Sequence, residues 1–181
     1  YSFILNEHPI SLLQVEGAKD CCIELNSMSK GFNMPGWRVG MCVSNPQFIS
    51  WILKIKSNID SGTFRGLQLA AAEALTTNDE EWHREYNINV YRRRRDIAEK
   101  IMQTLGCTYD PKQVGMFLWA KIPDKYTDAE QLTERVLHEA RVFITPGFIF
   151  GNNGRRYVRI SLCAQDDKMR EALHRIAALE W

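Results

Sequence analysis

The residues best placed for chemistry are Ser27, Ser29, Lys30 and Arg38, which fall within one short stretch, Ser27 to Gly40. A lysine amine can form a Schiff base with a carbonyl compound. Two hydroxyls and a guanidinium can hold a phosphate, the arginine through paired hydrogen bonds. Gly36 and Gly40, on either side of Arg38, would let backbone approach a ligand closely. Taken singly each residue has a plainer reading, since a lone lysine is usually a solvated surface charge. It is the constellation that points to a site.

The stretch resembles the lysine signature of the class I/II aminotransferases that use pyridoxal phosphate (PLP), the fold-type I family. That signature runs small residue, apolar, small, Lys, then a Gly-rich turn and an Arg-apolar-Gly ending, and every constrained position is met. A second matching element is the loop Pro146 to Gly154 followed by Tyr157-Val158-Arg159-Ile160-Ser161. The resemblance implies Lys30 as the catalytic lysine that binds PLP covalently. It implies Ser27 and Arg38 as ligands of the cofactor phosphate, with Ser29 a further candidate. Arg159 would bind the substrate α-carboxylate, a task for which a planar fork suits and an ammonium does not. Tyr1 sits where the family has a tyrosine that touches the cofactor's phenolic oxygen. Asn58 lies in a stretch that, in the family, reaches across a dimer interface towards cofactor and substrate; a simple helix-helix connection is the competing reading. The run Ser27 to Lys30 also fits the S-x-x-K of serine β-lactamases, but the S-D-N and K-T-G partners of that chemistry do not occur in the sequence.

The implied fold is α/β. Residues 1–77 would be the C-terminal portion of a large PLP-binding domain, with a few mainly parallel strands plus helices. Residues 78–181 would be a long connecting helix and a small α+β domain. The signature normally lies past the middle of a longer chain, and the sequence enters at Tyr1 as a segment already under way. The expectation is therefore the C-terminal half of such an enzyme, inactive alone and a homodimer in full-length form. The implied activity is transfer of an amino group between an amino acid and a 2-oxo acid. The Asn58 to Gly62 stretch looks nearest the branch holding aspartate and diaminopimelate aminotransferases. Two alternatives stay open: a PLP-dependent lyase or decarboxylase on the same scaffold, and an aminotransferase-like sensor domain of a transcription regulator.

Composition agrees with a globular protein and excludes little else. Of 181 residues, 45% are hydrophobic and 25% charged, and the net charge is +1. Nothing there points to nucleic acid or membrane as partner. No apolar run approaches the roughly 20 residues of a membrane span. Five cysteines without C-x-x-C spacing read as reduced thiols of a cytoplasmic protein. Four scattered histidines give no metal-ligand spacing.

The elements that must position these residues can be read from local signals. Cys21–Leu25 and Met41–Val43 are short apolar runs, as buried strands are. Asn45-Pro46 opens a helix whose apolar face is Phe48, Ile52 and Ile55; the pattern breaks over 57–62 and resumes from Phe64 to Leu75. Asn78 with Glu81 forms a capping box for a helix that runs to Leu105 and stops at Gly106. Arg92 to Arg95 in its middle read as a solvated charge run with local pairing to Asp96 and Glu99, and Arg155 and Arg156 as solvated too. Beyond Gly106 the order is strand (107–109), strand (115–122), a helix capped by Thr127, strand (142–145), strand (157–162) and a helix from Asp166 to Glu180.

Overall fold

The computed structural model describes residues 4–77 and 80–181. Tyr1 and the capping residue Asn78 lie outside the described residues. The chain is α/β and divides into two compact units, residues 1–83 and 84–181.

In the first unit Gly17, at φ 77°, leads into the helical turn α1 (Ala18–Cys21). Strand β1 (Glu24–Ser27) follows, then the turn α2 (Met28–Gly31), a 3-10 turn over Pro35–Trp37 and strand β2 (Gly40–Val43). The strands pair antiparallel, Glu24 opposite Val43 and Ser27 opposite Gly40. This corrects the expectation of mainly parallel strands. A parallel pair needs a crossover that carries the chain back along the sheet; here the connection holds only two short helical turns, and the chain reverses. Nor are these strands buried on both faces, since Leu25 and Val43 are exposed.

Asn45 caps α3 (Pro46–Ile59), its side chain accepting from the Phe48 amide at 3.0 Å. The helix does not break at Ser57 as the turn-forming residues suggested. Ser57 Oγ donates back to the Lys54 carbonyl at 3.1 Å, and Lys56 pairs with Asp60 at 2.6 Å across the last turn. α3 fully buries no residue: of its expected apolar face Phe48 and Ile52 are half-buried and Ile55 is exposed. Helix α4 (Arg65–Thr76) contributes Ala71 to a small core with Met28 and Met34. The turn α5 (Glu80–His83) ends the unit.

The second unit begins with a π-helical stretch, Arg84–Val90, that passes into α6 (Tyr91–Thr104). Gly106, at φ 71°, follows the helix end as expected. Strands β3 (Phe117–Lys121), β4 (Thr145–Pro146) and β5 (Tyr157–Ser161) form an antiparallel sheet in the order β3-β5-β4. Between β3 and β4 lie α7 (Ala129–Arg135) and a π-helical turn, Val136–Ala140. α8 (Asp166–Ala177) closes the chain and packs on α6. The core is well filled: Ala98, Met102, Leu118, Val136, Val158 and Ile176 are each about 1% exposed or less.

Four local expectations change here. The strand expected over 142–145 shrinks to Thr145–Pro146, because Arg141 turns left-handed (φ 56°) after the helix and Phe143 faces solvent. Residues 107–109 contribute a single bridge, Thr108 to Lys121. The α7 cap is Asp128, not Thr127: its carboxylate accepts from the Gln131 amide at 3.1 Å, while Gln131 Oε1 accepts from the Thr127 amide at 2.9 Å. The arginine run is solvated only in part: Arg92 and Arg93 are exposed and Arg95 pairs with Glu99 as expected, but Arg94 and Arg95 are half-buried with further partners. Arg94 donates to Asp166 at 3.1 Å and to the Leu162 carbonyl at 3.1 Å, and Arg95 to Glu99 at 2.7 Å and the Pro111 carbonyl at 2.9 Å. Arg156 likewise reaches Asp124 at 2.8 Å and the Thr127 carbonyl at 3.0 Å. These arginines satisfy carbonyls that turns leave without partners, which a charge count does not reveal.

Candidate functional site

The candidate residues form two clusters, one in each unit. The first is built on the step from β1 into α2. Ser27, the last residue of β1, is the N-cap of α2: its Oγ accepts from the Ser29 amide at 3.2 Å. Met28, one residue on, is 1% exposed and anchors the turn in the small core. Consecutive helical residues point in different directions, so burying Met28 leaves Ser29 and Lys30 only half-buried.

Arg38 ends the 3-10 turn at φ 51°, ψ 42°, a left-handed conformation. For a residue with a Cβ this costs about 1–2 kcal/mol. Its guanidinium donates to the Pro35 carbonyl at 3.0 Å and to Ser29 Oγ at 3.4 Å. It pairs with no carboxylate among the described residues. A strained cation beside two hydroxyls, Ser29 in contact and Ser27 one turn away, is a donor set that fits a phosphate. The chemistry of these residues thus fits the phosphate end of PLP, with Lys30 in the same turn as the amine.

Two expectations in the first unit change. Gly40 is required by the sheet: a Cβ there would stand 2.7 Å from the Asn26 carbonyl oxygen on the paired strand. Asn58 does not lie in a loop. It belongs to α3, and its amide donates to the Lys54 carbonyl at 2.7 Å within that helix.

The second cluster surrounds Arg159 in the middle strand of the sheet, opposite Trp119 of β3 and Thr145 of β4. Its guanidinium carbon lies 4.2 Å from the centre of the Phe117 ring and 4.3 Å from that of Phe150. Both rings lie within cation–π reach of the charge. The Nε atom is buried and has no hydrogen-bond partner, and the side chain pairs with no carboxylate among the described residues. The residue as a whole is half-buried, and the cation–π contacts are worth about 0.5–2 kcal/mol each.

Phe150 is held in turn. Its ring meets Trp119 edge-on at 5.9 Å, and Trp119 stacks on Tyr157 at 5.4 Å. The loop that carries it closes where Gly147 and Gly154 meet. A Cβ on Gly147 would stand 2.5 Å from the Gly154 carbonyl oxygen, and one on Gly154 2.0 Å from that of Gly147. Phe117 and Phe150 were not singled out from the sequence. No periodicity marks them, because their role depends on the β3–β5 register and on a loop closure.

Comparison with known proteins follows the same lines. The family described as aminotransferase class I and II matches residues 2–176. LL-diaminopimelate aminotransferase of Nitratidesulfovibrio vulgaris is 41% identical over 174 residues, covering 96% of this chain and 44% of that protein. The Aquifex aeolicus protein of the same name is also 41% identical, with the same coverage of 96% and 44%. Among solved structures, apo-BacF from Bacillus subtilis superposes with a TM-score of 0.88 at 34% identity, covering all of this chain and 46% of that one. An aminotransferase from Staphylococcus aureus gives 0.85 at 36% identity, covering 99% and 47%. The chain therefore spans slightly less than half the length of the proteins it matches. The matches do not bear out the expectation of a C-terminal half: they give the share of the relatives that is covered, 44% for the first of them, and no end of it. With the family matched over nearly all of its length, the chain belongs to the class I and II aminotransferases.

Proposed function

We propose that this chain is part of a PLP-dependent aminotransferase that moves an amino group between an amino acid and a 2-oxo acid. The observation that carries the reading is Arg159, a half-buried guanidinium with a buried unpaired Nε and two aromatic rings in cation–π contact. That arrangement suits recognition of the carboxylate that both substrates share, through the fork. Arg38, Ser27 and Ser29 would hold the cofactor phosphate, and Lys30 would carry the cofactor. PLP, when bound, supplies an electron sink for the bond broken at the substrate Cα. The protein's part is positional and acid–base. Lys30 Nζ takes the Cα proton of the amino acid and gives a proton back on the return half of the cycle. The buried Met28 fixes the turn from which that amine extends.

Because the relatives are about twice as long, the activity is proposed for the polypeptide at the relatives' length; this chain alone is expected to be inactive. LL-diaminopimelate is the first donor to try, since that name recurs among the relatives. The first unit leaves Leu25, Trp51, Ile55, Ile59 and Phe64 exposed. Apolar surface of that extent calls for cover, which fits additional chain and the homodimer expected of the whole enzyme. Asn58 remains a substrate candidate only if its amide gives up the Lys54 carbonyl, and Tyr1 a candidate on resemblance alone. Five free cysteines suit a reducing, cytoplasmic setting. Replacement Lys30→Ala in the enzyme of full length tests the reading. Loss of amino transfer to the assay floor is expected, and turnover near wild type would refute the role of Lys30.

A further inference from the structure

Cys21 and Cys22 take no part in either cluster, yet their sulfurs lie 3.7 Å apart. Side chains of successive residues ordinarily diverge. Here the chain leaves α1 between them: Cys21 is the last helical residue, and Cys22 is extended at φ −118°, ψ 149°. That step swings both thiols to one side. The backbone around them is fixed at several points. The Cys22 amide donates to the Ala18 carbonyl at 2.8 Å, the Ser44 hydroxyl to the Cys22 carbonyl at 2.6 Å, and the Asn45 amide side chain to the Lys19 carbonyl at 2.7 Å. Both cysteines are free, Cys21 exposed and Cys22 half-buried.

We propose that Cys21 and Cys22 form a two-point site for a soft, thiophilic centre that is satisfied by two sulfurs, of the class of monosubstituted trivalent arsenicals. The spacing fits. A centre that bonds sulfur at about 2.3 Å, as zinc does, spans two sulfurs roughly 3.5–3.8 Å apart. A structural zinc ion would need two more ligands, and the described residues offer no group of three or more metal-ligating side chains. An arsenical of the type R–As=O needs only the pair. Each thiol gives up its proton, two As–S bonds form, the As=O bond breaks, and the oxygen leaves as water. Arsenic stays trivalent and nothing is oxidised. The contact between the two sulfurs, together with partial burial and the neighbouring Cys21 charge, holds the Cys22 thiol above its ordinary pKa.

The test uses the 181-residue chain and phenylarsine oxide. Intact mass should show one arsenical per chain with loss of water, and peptide mapping after alkylation should show Cys21 and Cys22 protected together while Cys163 is modified. The adduct should survive excess monothiol and be released by 2,3-dimercaptopropanol. Cys21→Ser and Cys22→Ser should each weaken retention by about 100-fold or more, as loss of one arm of a bivalent contact does, while Cys42→Ser leaves it unchanged. Mapping on the unsubstituted chain keeps the test independent of how the variants fold. Adducts that persist in both serine variants, or separate alkylation of Cys21 and Cys22 in the presence of the arsenical, would overturn the proposal.

Discussion

The two units differ in how much of their apolar surface they bury themselves. The second has a continuous core of helix and sheet residues, among them Met102, Leu118, Leu132 and Ile176. Among the described residues the first gathers Met28, Met34 and Ala71 into a small cluster, and leaves Ile59 77% and Phe64 74% exposed. Burial of apolar area is the main favourable term in folding, so the second unit carries the means of its own stability and the first depends on cover from elsewhere. The candidate lysine is thus in the unit that leaves more apolar surface open, and the candidate carboxylate fork is in the unit with the continuous core.

Hydrogen exchange would break or sharpen this contrast most strongly. In the chain as given, amides of α6 and α8 should be protected at least about 1000-fold more than those of β1, β2 and α3, since local opening scales with how little is buried. Equal protection in the two units would contradict it. Next in size is Gly147→Ala. A methyl there meets the Gly154 and Tyr157 carbonyl oxygens at 2.5 and 2.7 Å, and neither is the end of a flexible side chain. The loop must shift, so denaturant titration should show the second unit destabilised by about 1–3 kcal/mol, with the first unit's signal unmoved. A smaller effect is expected of Phe150→Leu. Removing one ring from Arg159 gives up about 1–2 kcal/mol of cation–π contact, and in the enzyme of full length KM for the amino donor should rise several-fold to about 30-fold with kcat little changed. An unaltered KM would mean that the ring packs the loop without orienting the fork.

What could be read from the sequence follows the range of the interactions involved. The Asn45 cap, the stop at Gly106, the alternation through Tyr157 to Leu162 and the turn that displays Lys30 depend on neighbours within a few residues, and the structure has them close to where the residues suggested. The antiparallel pairing of β1 with β2 depends on a chain reversal that no periodicity encodes. The partners of Arg94 lie at Leu162 and Asp166, and those of Arg95 include carbonyls of the turn at 111–113. Runs of charge look solvated until such distant acceptors are known. Arg38 and Arg159 stand out in the sequence by type and motif order. The strain on one and the aromatic contacts around the other do not, since both arise from tertiary closure. Asn58 went the other way: turn-forming neighbours suggested a loop, and side-chain bonds to Lys54 and an end-of-helix ion pair kept the helix intact.

The most direct test of the central claim is to locate the lysine that binds the cofactor. The enzyme at its relatives' length would be incubated with PLP, reduced with borohydride and digested, and the modified peptide sequenced by mass spectrometry. The expected result is a single label on Lys30, lost when amino-acid donor is added before reduction. A label on any other lysine, with Lys30 unmodified, would contradict it.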